Sequence, residues 1–194
     1  FFLMIPLFVS LFVMAFQSEA NRVGPLIGSI NSIIYTAAYI YMGVYASAAS
    51  AILFSFPIQL MTFFRWKKNA YKKTAIFRKM TTKMRIVWSA LFLVAWGIIA
   101  AIFMHLDYEY AILDSCTLLF GFVIPVLTML AYIEYTYLWI VQCVLGVFLN
   151  IQMVINDPKE TTYLIYGVYA LYCVICAFIN VHKFYKEQQK NLIS

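Results

Sequence analysis

Residues 114–150, DSCTLLFGFVIPVLTMLAYIEYTYLWIVQCVLGVFLN, read as two apolar helices joined by the turn Tyr132-Ile133-Glu134-Tyr135. The first opens on a carboxylate set in an apolar run, Asp114-Ser115-Cys116. The second carries Thr136, Trp139, Gln142, Cys143, Gly146 and Asn150, which at helical spacing fall within about 120° of one another and form one polar and small-residue stripe. A helix surrounded by lipid does not hold such a stripe without a partner or a cavity to receive it. The spacing therefore predicts a solute cavity with this hairpin as one wall.

The rest of the chain agrees that the solvent is lipid. It is 64% hydrophobic and only 11% charged, with a mean hydropathy of +0.84, which excludes an ordinary soluble globular domain. The chain opens on Phe1 rather than an initiator, and the first run is short, as a truncated span would be. Apolar runs cover Phe1–Phe16, Val23–Met42, Ala46–Phe64, Ile86–Met104, Ala111–Ala131, Tyr137–Ile155 and Tyr163–Val181. Most reach the roughly 20 residues that cross the hydrocarbon core. Gly43-Val44-Tyr45 is expected as a tight connection between the second and third. No period-two alternation of the kind a lipid-facing barrel needs is present. The expectation is an all-α membrane protein of seven transmembrane helices.

Basic residues orient it. Nine of the fourteen Lys and Arg lie between Arg65 and Arg85, with no Asp or Glu among them, and Lys183, Lys186 and Lys190 follow the last span. The other connections hold Asp107 and Glu109, or Asp157 and Glu160 beside Lys159. Basic loops stay cytoplasmic, so the N-terminus is expected outside and the C-terminus inside. Glu134, in a cytoplasmic turn, is expected to be solvated.

With seven spans, the first three and the last three run in the same directions, and the fourth restores orientation between them. This is a parallel 3+1+3 repeat of the kind found in sugar facilitators. It divides the chain into a first three-helix bundle (1–64), a basic cytoplasmic loop (65–85), a linker helix with an outer loop (86–110), a second bundle (111–181) and a tail (182–194). Pro6 and Pro125 pair in this reading, as do the faces Gly28, Asn31, Tyr35, Tyr39 and Trp139, Cys143, Gly146, Asn150. Gln59 and Asn180 each place an amide near the cytoplasmic end of a third helix. Gly24-x-x-x-Gly28 reads as a close-packing motif. Pro57 and Pro125 break the helical ladder in mid-span, as hinges or fixed kinks.

Enzyme motifs are absent: no phosphate loop, no nucleophile elbow, no His-Glu-x-x-His. His105 and His182 fall at opposite membrane faces, and Cys173-x-x-Cys176 lies within a helix without a second pair, so neither a metal nor a cofactor is expected. Asp114 reads either as an interfacial carboxylate at a helix N-terminus or as a counter-charge or proton site. Trp139 with Gln142, Cys143, Thr136, Gln59, Asn180, Asn31, Tyr35 and Tyr39 supplies aromatic faces and amides. That is the chemistry to stack a flat heterocycle and hydrogen-bond a sugar, with extra gain for a cationic ring. Interhelical hydrogen bonding without a ligand is the competing reading of the same amides.

Taken in order, these residues resemble the PnuC-type nicotinamide riboside transporters. The matching features are Gly28-x-x-Asn31, Tyr45-Ala46-Ser47, Gln59 seven residues before Trp66, Asp114-Ser115-Cys116, Glu134, Trp139, and Asn180 five residues before Tyr185. The resemblance implies a SWEET-like fold and a homotrimer in the cytoplasmic membrane. It implies facilitated diffusion of a vitamin precursor, with a cytosolic kinase trapping the solute by phosphorylation. The chain departs from the family pattern at Thr136 and Cys143, where Trp and Asn are usual, and at Gln59 and Thr62, where Asn and Gly are usual. Thiamine, riboflavin or deoxynucleosides therefore stand as alternative solutes. A vitamin-binding subunit of an ATP-driven importer and an intramembrane enzyme using Asp114 are the rivals from other classes.

Overall fold

The computed structural model describes residues 4–41, 45–106, 111–156 and 161–193. Among these the chain forms seven helices: α1 (Met4–Ser18), α2 (Val23–Tyr41), α3 over 45–68, α4 (Thr82–His105), α5 (Ala111–Met129), α6 (Tyr135–Asn156) and α7 (Thr161–Ile193). Gly43, Val44, Asp107, Glu109, Asp157, Lys159 and Glu160 lie outside the described residues, so the expectations placed on those connections do too. Four helices are long and apolar enough to cross a membrane, within α2, α3, α4 and α7; α1, α5 and α6 contribute the shorter apolar segments Phe8–Ser18, Leu118–Met129 and Tyr135–Phe148.

Helix α3 is not uniform. Tyr45–Ser50 and Phe56–Lys68 are α-helical, and between them Ala51–Ser55 form a π-helical turn whose i→i−5 bonding includes Phe56 N–H to the Ala51 carbonyl. Pro57 follows at once. Its missing N–H and its ring are accommodated by this wider turn, which loosens the ladder beside the bundle axis. Arg65, Lys67 and Lys68 then end the helix, where cations meet the negative pole of its dipole.

The helices pack as a closed ring. α1 lies against α2, α2 against α3, α3 against α5, α5 against α6, α6 against α7, and α7 back against α1. Polar side chains tie the last contact: Asn180 Nδ2 donates to the Ser18 carbonyl at 2.8 Å and the Tyr169 hydroxyl to the Leu11 carbonyl at 3.1 Å. α4 stands outside the ring against α5. Its Ile86, Leu93, Val94 and Ile98 are 58–64% exposed, as suits a surface covered by lipid rather than water.

Two turns of the ring are near copies. α1 and α5 both end on an alanine in the left-handed region, Ala20 (φ 52°) and Ala131 (φ 56°), both buried. Each is followed by a backbone bond reaching five residues back, Asn21 N–H to the Phe16 carbonyl and Tyr132 N–H to the Leu127 carbonyl. This is the helix C-cap that usually takes glycine; a methyl stands here because both sites are packed. Setting Ala20 on Ala131 aligns Gly28, Asn31, Tyr35 and Tyr39 with Trp139, Gln142, Gly146 and Asn150. In that register Asn31 stands opposite Gln142, and Pro125 lies two turns from the position opposite Pro6.

The basic segment 65–85 is a packed plug, not a solvated loop. Ala70–Tyr71 and Thr74–Ala75 form a small antiparallel hairpin. Thr74 and Ala75 of its second strand are buried, and Ala75, Phe77 and Met80 join one cluster with Trp66, Ile133, Tyr135 and Val181. Backbone bonds join the segment to both ring turns: Arg22 N–H to the Lys73 carbonyl at 3.0 Å and Arg78 N–H to the Ala131 carbonyl at 2.8 Å. Three carboxylates answer its charge, Glu19 to Lys73 and Glu187 to Lys72 at 2.7 Å each, and Glu134 to Arg85 at 2.7 and 3.1 Å. Hydrogen bonding to Glu187 holds the Lys72 ammonium pKa above its ordinary value. Glu134 is therefore not solvated as expected: its side chain is 14% exposed and also accepts from Met80 N–H at 3.1 Å.

Gln188 fastens the plug to α7. Its Oε1 accepts from Phe77 N–H and its Nε2 donates to the Ala75 carbonyl, both at 2.9 Å, and the residue is 5% exposed. Gln188→Ala would strand two buried backbone groups and is expected to cost about 2–4 kcal/mol. Thermal unfolding in detergent and faster tryptic cleavage at Lys72 and Lys73 report it; unchanged cleavage would show that the plug is held without Gln188.

Candidate solute site

Inside the ring is a cavity of about 240 Å³ lined from five helices. α6 supplies Trp139 and Gln142 one turn apart, α3 supplies Gln59, Thr62 and Trp66, and α5 supplies Pro125 and Thr128. Gln17, Asn21 and Pro25 close it from the α1–α2 side. The volume lies just under the ~300–1,000 Å³ of drug-sized sites, so it suits one compact solute. All of its polar lining is neutral; among the described residues no charged side chain faces it.

Toward the plug the cavity is shut. Trp66 Nε1–H donates to the Thr128 carbonyl at 2.9 Å, joining α3 to α5, and Trp66 is 3% exposed with Phe77 edge-on beneath it. Tyr135, 2% exposed, lies at 6.3 Å centroid distance from the Trp139 ring. These aromatics offer flat faces from below, with the amides of Gln59 and Gln142 on the walls.

Gln59 is the pivot of the site. Its Nε2 donates to Ser55 Oγ at 3.1 Å and Ser32 Oγ at 3.3 Å, while its buried Oε1 has no protein partner. A buried amide oxygen left open carries a cost that a ligand or water would remove. Room for it comes from Gly28 on α2, where any Cβ would collide with Oε1. Ser32 and Ser55 also line a second hollow of about 300 Å³ with Tyr35 and Tyr39, further from the plug. The two tyrosine rings stack at 5.6 Å.

Of the residues the sequence singled out, Trp139, Gln142 and Gln59 meet at the cavity. Tyr35 and Tyr39 line the outer hollow instead. Asn31 is buried in an α1–α2 contact: its Nδ2 donates to Ser10 Oγ at 2.8 Å, Ser10 in turn meets the Tyr35 hydroxyl at 3.2 Å, and Asn31 Oδ1 stays open. Thr136 is fully buried, its hydroxyl donates to the Ile133 carbonyl at 2.8 Å, and it does not line the cavity. Cys143 faces Cys173 and Tyr166 of α7. Asn180 is spent on α1. The Asp114 side chain lies outside the described residues. Gln17, Asn21, Thr128 and Tyr135 also line the cavity, and they lie at or just beyond the ends of the apolar runs, where no helical stripe singles them out; Gln59 and Trp66, seven residues apart, share a face.

The six-helix ring encloses a neutral, aromatic-floored cavity, and a family model described as "Nicotinamide mononucleotide transporter" matches residues 2–182. The chain belongs to that family. Among solved structures, "Crystal structure of the Vitamin B3 transporter PnuC" is similar at 20% identity and a TM-score of 0.70, covering 92% of this chain and 79% of that one. At that identity it shows a shared fold. No curated protein matches. This nicotinamide mononucleotide transporter family chain is a multi-pass membrane transporter and not an enzyme, which removes the intramembrane-enzyme reading of Asp114.

Proposed function

We propose that this transporter carries a nucleoside-like vitamin precursor, nicotinamide riboside first, by facilitated diffusion across the cytoplasmic membrane. The neutral lining carries the argument. A mononucleotide brings a phosphate of about two negative charges, and no Lys, Arg or His among the described lining residues could hold it. A pyridinium nucleoside brings a cationic ring instead, which gains from the faces of Trp66, Tyr135 and Trp139. Its sugar hydroxyls answer the amide of Gln142, with Gln59 and Thr62 on the facing wall.

The same proposal covers the cycle. The halves 1–64 and 111–181 rock about the cavity in alternating access, with the 3+1+3 SWEET-like order supported by the ring packing and the twin alanine turns. The plug end, with the C-terminus, faces the cytoplasm by the positive-inside rule. A site shut there by Trp66 and Thr128 is then the outward-directed form. A homotrimer and a kinase that traps the solute complete the reading.

Uptake into liposomes containing only the purified chain tests it, using nicotinamide riboside, nicotinamide mononucleotide, thiamine, riboflavin and deoxynucleosides. Nicotinamide riboside is expected to exceed its mononucleotide at least tenfold, without ATP. Preference for the mononucleotide would overturn the uncharged-site argument, and no uptake of any solute would sink the carrier reading. A cysteine placed at Lys68 should be labelled only from the cytoplasmic side, and the mass of the solubilised particle checks the trimer.

A further inference from the structure

Outside the ring, a groove of about 770 Å³ opens between α4 and the α6–α7 pair, floored by α5. We infer that it binds an anionic phospholipid, with an acyl chain along the floor and the phosphate between Lys79 and Lys186. The walls are apolar, with Phe92 and Phe120 at 5.0 Å and Val123, Leu127 and Leu138 beside them. Its mouth, at the plug, is ringed by Trp88, Tyr137 and Tyr185, the residue types that sit at headgroup level.

Charge identifies the occupant. Arg85 at the mouth is satisfied by Glu134, and Glu187 on the neighbouring face of α7 is taken by Lys72. His182 is no candidate for the phosphate: its Nδ1 lies 2.8 Å from the Phe178 carbonyl and its Nε2 2.9 Å from the Tyr137 hydroxyl. Lys79 and Lys186 have no acidic partner within ion-pair distance among the described residues, and Lys183 and Lys190 extend the same basic face. A second copy of this chain is a poor complement. It carries a net charge of +6, and its plug-end carboxylates Glu19, Glu134 and Glu187 are already paired. A basic pocket between helices at the headgroup level is how anionic lipids are held.

Native mass spectrometry of the full chain released from bilayers of mixed phosphatidylglycerol and phosphatidylcholine tests this. The wild type should retain phosphatidylglycerol selectively, and the preference should fall with salt. The Lys79→Gln/Lys186→Gln double variant should lose it by roughly twentyfold, about fivefold per lysine. Lys67→Gln/Lys68→Gln removes equal charge from the same end, outside the groove, and should keep it. An unchanged double variant, or an equal loss in the control, would overturn the site. So would crosslinking between copies through Ser89→Cys with no lipid retained. Unfolding temperatures in detergent, expected to match the wild type, keep misfolding out of the comparison.

Discussion

Trp139→Ala is expected to weaken solute binding by about 1–3 kcal/mol, a five- to 150-fold rise in apparent KM, the loss of one ring-on-aromatic stack. Trp139 sits one turn below Gln142 on α6, tilted toward Tyr135, with the cavity above its ring. Removing the indole takes away a face that a heterocycle can lie on while leaving Gln142 and Gln59 in place. Trp139→Phe should recover part of the loss, since a smaller face remains. The indole also packs against the buried cluster at the plug end, so a fall in melting temperature is expected beside the functional loss. Binding measured on folded protein separates the two. An unchanged affinity in the folded variant would remove Trp139 from the site.

Gly28→Ala is expected to abolish most uptake at little cost in stability. The new Cβ falls on Gln59 Oε1, so the amide must swing out of its bonds to Ser32 and Ser55. The displaced group is the end of a flexible side chain, and alanine gains about 1 kcal/mol of helix propensity over glycine, which offsets the crowding. What is lost is the placed amide, about 1–3 kcal/mol of solute binding if Gln59 bonds the sugar. Gln59→Leu should give a similar loss, and the double variant should be no worse than either single, because both remove the same group. Additive losses would show that Gly28 acts on something other than Gln59. The second half holds a mirror of this device: a Cβ at Gly167 of α7 would lie 2.7 Å from Asn150 Nδ2 of α6.

Much of the site was legible because helical spacing is a strong signal in lipid. Trp139 and Gln142 had to share a face, and polar side chains on a span need company. Spacing along one helix cannot say which neighbour provides that company. Asn180 stands on a polar face of α7, yet its amide bonds the Ser18 carbonyl of α1 and does not line the cavity. Gly24 and Gly28 read as one packing motif, yet Gly24 meets Gln17 of α1 and Gly28 meets Gln59 of α3. Trp66 lines the cavity with its indole bonded across the ring to Thr128, a contact 62 residues apart in the chain.

Composition and apolar run lengths by themselves determined a helical membrane protein, because lipid forces the backbone to bond within each span. The clustering of Lys and Arg between 65 and 85 likewise marked one charged end of the bundle. Tertiary structure alone decided that this charged segment is a plug, for it depends on Glu134, Gln188 and the two alanine turns arriving from remote parts of the chain. It alone decided which amides face the cavity and which are spent on neighbours. A residue's helix face is local geometry, whereas its partner is set by how seven helices close into a ring.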